Sequence, residues 1–210
     1  NSFVAGLFGA TLTLAVAIGF AYAARFGERL QGRLVGATAT GLRFGYAVPG
    51  AVVALAILWP MAAVDQAVTR ALDLATPVLT GTIVGVLYAY VLRFFAVAYG
   101  GIEASMQRIT PNLDAAARTL GAGRLTVFRR VHVPLLGRAA LVAWMLVLID
   151  VMKELPATLM LRPFNFDTLA VITLHLSQDE RLAEAALPSL AIVVIGMIPV
   201  VMISRVMFKR

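Results

Sequence analysis

Cysteine is absent from this 210-residue chain, and charge is scarce, at 14% of residues against roughly 25% in soluble domains. The first absence excludes disulfides and thiolate metal sites. The second means that the chain could not clothe a water-exposed surface. With 60% hydrophobic residues and a mean hydropathy of +0.88, the composition is that of a membrane protein. Other absences narrow the chemistry. No Gly-x4-Gly-Lys-Ser/Thr loop occurs, so ATP hydrolysis is not expected of this chain, and no Gly-x-Ser-x-Gly supplies a serine nucleophile. Ser177 lies two residues from His175, a spacing that puts them on different sides of a helix. His132 and His175 are the only histidines and are far apart, which is no metal set. No catalytic residue, metal or cofactor is therefore expected. The chain begins with Asn1 and runs at once into apolar sequence with no charged segment ahead of it, unlike a secretory signal.

What is present is a series of long apolar runs. A spanning helix needs about 20 predominantly apolar residues. The runs predict an all-α polytopic membrane protein with five spans, at 2–24, 44–64, 74–99, 135–159 and 185–204. Lys and Arg are divided unevenly between the connections, with fourteen on the side of residues 25–43, 93–138 and 205–210 and four on the other. The richer side reads as cytoplasmic, so the N-terminus is expected outside and the C-terminus inside. The net charge of +7 is then a matter of topology, not of nucleic-acid binding. An N-terminus outside with a span at residue 1 leads us to expect an earlier helix in a longer protein.

The long basic loop, 100–137, carries crisp local signals. Thr110 is a plausible N-cap and Pro111 suits the first helical position. Asp114 falls in the favourable first turn. Leu113, Ala116, Ala117 and Leu120 recur at helical spacing as one small apolar face, and Asp114 and Arg118 are spaced to pair outside it. Gly121 is placed to end the helix through a positive φ. A second amphipathic stretch sets Leu125, Phe128 and Val131 or His132 against Arg124, Arg129 and Arg130, with His132 itself expected to be exposed. Pro134 marks entry to the fourth span. A hairpin lying on lipid is one reading of this loop. A face rich in alanine anchors poorly in lipid and better suits close approach by another protein.

This loop resembles the EAA signature of binding-protein-dependent ABC importer permeases: Glu-Ala-Ala, three residues, Gly, nine residues, Ile-x-Leu-Pro. The matching positions are Ala115, Ala116 and Ala117, then Gly121, then Val131, Val133 and Pro134. Alanine stands at 115 where the family carries Glu, so either a salt bridge from that site to the ATPase is missing or its role shifts to Asp114. The resemblance implies a type I importer transmembrane domain lacking its first helix. By the same resemblance, Pro111–Leu120, with Asp114, Arg118 and Leu120, would couple to cytoplasmic ABC ATPase subunits. The other implied partners are an extracytoplasmic substrate-binding protein, a second permease module and the lipids of a bacterial inner membrane.

Asp150, Lys153 and Glu154 fall on one side of the fourth helix near its outer end. They are candidates for the translocation path, because intramembrane charges face bundle interiors or watery routes. Pro156 is expected to break or kink that helix and to bring Thr158 toward a gate. The run KELPATLMLRPFNFDTLAV resembles ferric-iron permeases, whose second module this chain is most like; thiamine and molybdate or sulfate permeases share the architecture. The rival classes are a membrane scaffold and an intramembrane enzyme.

Overall fold

The computed structural model describes residues 1–27 and 29–208. Glu28 lies outside them, as do Lys209 and Arg210, which are counted in the charge asymmetry above. Helices and their connections account for the described residues, with no strand among them. Five helices are long and apolar enough to cross a membrane, the number expected, although their ends differ from those read off the apolar runs.

Helix α1 (Ser2–Phe26) is the centre of the bundle and packs on α4 (Ile83–Gln107) and on α7 (Val133–Met152). Its buried face is a stripe of small residues, Ala5, Gly9, Thr13, Ala17 and Ala21, at every fourth position. In lipid, where apolar surface gains nothing by leaving the solvent, small residues favour association by letting backbones approach. A Cβ on Gly9 would come 2.8 Å from the ring of Tyr90, and Tyr90 is fully buried. Phe20 meets Phe95 edge to face at 5.3 Å and completes the α1–α4 seam.

The second span differs most from expectation. Residues 29–43, a connection by their apolar pattern, form a helix, α2 (Arg29–Arg43). It leads through a 3-10 turn, Phe44–Tyr46, into α3 (Gly50–Leu72), so the apolar run at 44–64 opens with a helix break and its spanning helix starts only at Gly50. Pro49 enforces the break, because it cannot donate to a preceding carbonyl, and it serves as the N-cap of α3. The third span begins at Ile83 instead of residue 74 and continues past 99 to Gln107. Residues 73–82 are instead a loop gathered around Asp65, whose carboxylate accepts from the N–H groups of Val78, Leu79 and Thr80 at 2.9, 2.8 and 2.6 Å.

The loop between the third and fourth spans holds α5 (Pro111–Thr119) and α6 (Arg124–Val127), followed by a π-helical turn, Phe128–His132. The fourth spanning helix is thus continuous from Arg124 to Met152, and Pro134 lies inside it instead of opening it. An α-helical Pro134 would clash with the carbonyl four residues back. The π turn, in which Val133 N–H donates to Phe128 O, widens the helix where that clash would fall. After α7 come α8 (Pro156–Leu161), α9 (Leu169–Gln178) and α10 (Leu182–Phe208). Helix α10 packs on α9 and α7, and leaves Leu187, Leu190, Val193, Val194 and Met197 exposed to surrounding lipid or protein.

Gly45 touches the backbone of α4, where a Cβ would come 2.2 Å from the Leu92 carbonyl oxygen, whereas a Cβ on Gly19 would meet nothing within 4 Å. Gly45→Ala should therefore destabilise the detergent-solubilised protein by about 1–3 kcal/mol. Gly19→Ala should be neutral or stabilising by up to about 1 kcal/mol. Thermal unfolding of the two variants checks the contrast.

Candidate functional site

The loop helix α5 forms as its residues dictate. Thr110 precedes it in an extended conformation and Pro111 opens it, although the Thr110 hydroxyl makes no capping bond. At the other end, Gly121 takes φ +81°. Gly121 N–H bonds to Arg118 O at 2.9 Å and Ala122 N–H to Ala117 O at 3.0 Å, the paired closure of a Schellman motif.

Asp114 does not pair with Arg118 at the surface. It turns inward and is 7% exposed. Arg25, in the last turn of α1, donates to its Oδ2 from Nε at 3.0 Å and from Nη2 at 2.8 Å. The same guanidinium caps the end of α4, with Nη1 on Met106 O at 2.6 Å and Nη2 on Ile109 O at 2.8 Å. His132, in the π turn, donates from Nε2 to Asp114 Oδ1 at 2.8 Å. His132 is fully buried instead of exposed, lies against Phe26 at 5.3 Å, and its Nδ1 finds no partner among the described residues. Arg118 instead lies over the Phe26 ring at 5.7 Å. One carboxylate thus gathers α1, the end of α4, α5 and the start of the fourth spanning helix. Burial pushes the Asp114 carboxyl up, but the hydrogen bonds from Arg25 and His132 outweigh it and hold the group below its ordinary value of 3.8.

With Asp114 directed inward, the rest of α5 faces out. Leu113, Ala115, Ala116, Thr119 and Leu120 are exposed and Ala117 is half-buried; Leu120 reaches 88% exposure. Beyond Gly121, the buried side of the second stretch is Val127 and His132, with Phe128 and Val131 partly covered; Leu125 points away, and Val133 and Pro134 are exposed.

The candidate path residues fall at a second place. Lys153 pairs with Asp150 at 2.8 Å. Glu154, 6% exposed, meets the Nε of Arg93 on α4 at 2.9 Å and accepts from Ala157 N–H at 3.2 Å. The patch is therefore charge-balanced, not net acidic, and Arg93 belongs to the interior instead of the cytoplasmic charge count. Of the break or kink expected at Pro156, the chain shows a break: α7 ends at Met152, and Pro156 opens α8. Thr158 is buried, with its hydroxyl donating to Glu154 O at 2.9 Å and accepting from the Tyr90 hydroxyl at 2.7 Å. His175 and Ser177 are exposed on α9, and no cluster of three metal-ligating side chains occurs among the described residues.

Sequence reasoning missed Arg25, His132 and Arg93. A lone acid on an alanine-rich helix was a signal that a cation waits elsewhere, but nothing in the pattern said which.

Fold and site together define a helical, multi-pass membrane protein whose loop between the third and fourth spans is anchored to the bundle through a buried carboxylate. No family model matches the chain. It is homologous to permease proteins of transport systems. One relative is the Fe(3+)-transport system permease protein FbpB 2 of Haemophilus influenzae, 28% identical over 212 residues, covering all of this chain and 38% of the relative. Another is the putative 2-aminoethylphosphonate transport system permease protein PhnV of Salmonella typhimurium, 28% identical over 128 residues, covering 61% of this chain and 48% of the relative. The chain thus spans less than half the length of these curated relatives.

Asp114→Asn leaves the Arg25 guanidinium uncompensated and should cost about 3 kcal/mol, read by thermal unfolding. The pH response follows from the lowered carboxyl. Its stabilisation is complete above the ordinary value of 3.8 and is lost as pH falls through the lower folded value. The part of the parent's advantage over Asp114→Asn that rests on the ionised carboxylate should be present at about pH 5 and lost only in stronger acid, read by thermal unfolding across that range.

Proposed function

We propose that this chain is transmembrane-domain sequence from the permease of an ATP-driven ABC importer in a bacterial inner membrane. The observation that carries the reading is the build of α5: rooted at Asp114 in three spanning helices and bare on its outer face at Leu113, Ala116 and Leu120. A helix fixed on one side and apolar on the other is suited to receive force from a docked partner. Homology to transport-system permeases supports the same reading. The partner at α5 is a cytoplasmic ATPase subunit, and the family's acidic contact is missing from it, because Ala115 is exposed and Asp114 is committed inward. A substrate-binding protein docks on the opposite face, a second permease module completes the path, and lipid surrounds both. The loop helix is cytoplasmic, which puts the N-terminus of the chain outside and its C-terminus inside.

For the substrate we favour ferric iron, because the match to the Fe(3+)-transport permease runs through the whole chain. The charge-balanced Asp150–Glu154 patch adds no support for a cation, so sequence similarity alone bears that choice. The second reading is an aminophosphonate, from the shorter matches.

A single cysteine at Thr119, exposed at the end of α5, in the full-length chain tests the coupling role. A disulfide to a cysteine in the co-expressed ATPase should form, and nucleotide should change its yield. Free reaction of Thr119→Cys with soluble thiol reagents, with no cross-link under any nucleotide condition, would remove the importer reading and favour a hairpin lying on lipid.

A further inference from the structure

Two helix breaks meet on one turn of α4. The first, between Tyr46 and Gly50, presents the Val48 carbonyl, which accepts from Arg93 Nη1 at 2.7 Å. The second, between Met152 and Pro156, presents the Glu154 carboxylate, which lies 2.9 Å from Arg93 Nε. Three residues earlier on α4, Tyr90 donates to Thr158 at 2.7 Å, and Thr158 donates to the Glu154 carbonyl at 2.9 Å. Gly50 allows this seating, since a Cβ there would come 2.5 Å from Glu154 Oε1 and 3.2 Å from Arg93 Nη1. Counting from Ile83, Arg93 lies about 15 Å along α4, at mid-membrane depth. Irregular backbone at that depth is tolerated only where protein buries it or where it lines a watery cavity. Intramembrane charges mark such routes.

The other end of α4 is held by the loop site, through Arg25 on the Met106 and Ile109 carbonyls. From Arg93 to Met106 is thirteen residues (106 − 93), about 20 Å of one helix. We propose that Arg93 is a positioning residue of the transport path. Helix α4 carries displacement of α5 to Arg93, and release of Glu154 and the Val48 carbonyl frees both broken segments to open. The proposal rests on the permease reading and adds to it the element that transmits motion and the contact that yields. Charge alone does not fill the role: a lysine at 93 would present one compact ammonium to two acceptors that the guanidinium fork reaches together.

Ala157 is fully buried beside this contact and supplies the probe. In the full-length permease assembled with its ATPase in nanodiscs, with any other cysteines replaced, Ala157→Cys is alkylated with a membrane-impermeant maleimide. The parent should react slowly without nucleotide and about tenfold faster with ATP and vanadate. Adding Arg93→Gln should make the reaction fast in both conditions, and Arg93→Lys should give an intermediate rate that still responds to nucleotide. A parent rate that nucleotide does not change, or Arg93→Gln rates within about twofold of the parent's, would overturn the proposal. If Arg93→Gln fails to assemble, Glu154→Gln takes its place; failure of both to assemble means that the contact is purely structural, and the proposal falls. The Thr119→Cys cross-link, run on the same preparations, separates the two claims. Its absence refutes the permease reading, whereas a nucleotide-sensitive cross-link beside an Arg93-insensitive Ala157→Cys refutes this inference alone.

Discussion

The carboxylate of Asp114 is the contact on which the arrangement of this molecule turns. A nine-residue helix such as α5 is too short to be stable by itself in water, and its alanines offer little surface to pack. Its order comes from being tied down. Arg25 reaches it from α1 while capping the open carbonyls at the end of α4, and His132 reaches it from the widened turn that begins the fourth spanning helix. The tie is charged and largely dry, so it holds one geometry instead of many. Any partner that pushes on α5 pushes on three spanning helices at once.

The same economy recurs wherever a span is interrupted. Hydrocarbon offers no hydrogen-bond partner, so each broken stretch of backbone has to be satisfied by the protein itself. Asp65 collects three N–H groups of the loop before α4. Arg93 takes up the Val48 carbonyl, and Glu154 takes the Ala157 N–H, while the two charges compensate each other. Asp150, Lys153 and Glu154, two acids and one base along a single stretch, form a closed set once Arg93 joins them from α4. Small residues do the complementary work: the stripe on α1 brings backbones together, and Gly45 and Gly50 let the first break lie flat on α4 and on the ion pair.

How much of this was legible in the sequence follows from which forces act locally. Hydropathy located five spanning helices, because solvation in lipid is a property of the segment. Pro111, Asp114 in the first turn and Gly121 located α5, because caps and positive φ are local too. The ends of the spans are not legible where a charge-free run is not a helix: Phe44–Pro49 is apolar yet broken by Pro49, and 74–82 is apolar yet a loop held by Asp65. Pairings across the bundle were not legible at all. Asp114 is spaced to pair with its neighbour Arg118, yet its partners lie 89 and 18 residues away. His132 looked like a surface residue because arginines surround it in the chain, and the π turn that buries it left only Pro134 as a hint.

The central claim is that α5 belongs mechanically to the membrane bundle and is not a loose surface helix. Hydrogen–deuterium exchange on the full-length protein in nanodiscs, parent against Arg25→Gln, tests it most directly. Loss of the guanidinium should speed exchange of the α5 amides, residues 113–119, by about tenfold or more, while α10, remote from the tie, stays unchanged. Equal exchange across α5 in the two proteins would show that Asp114 and Arg25 do not hold the helix, and the account would fail at its root.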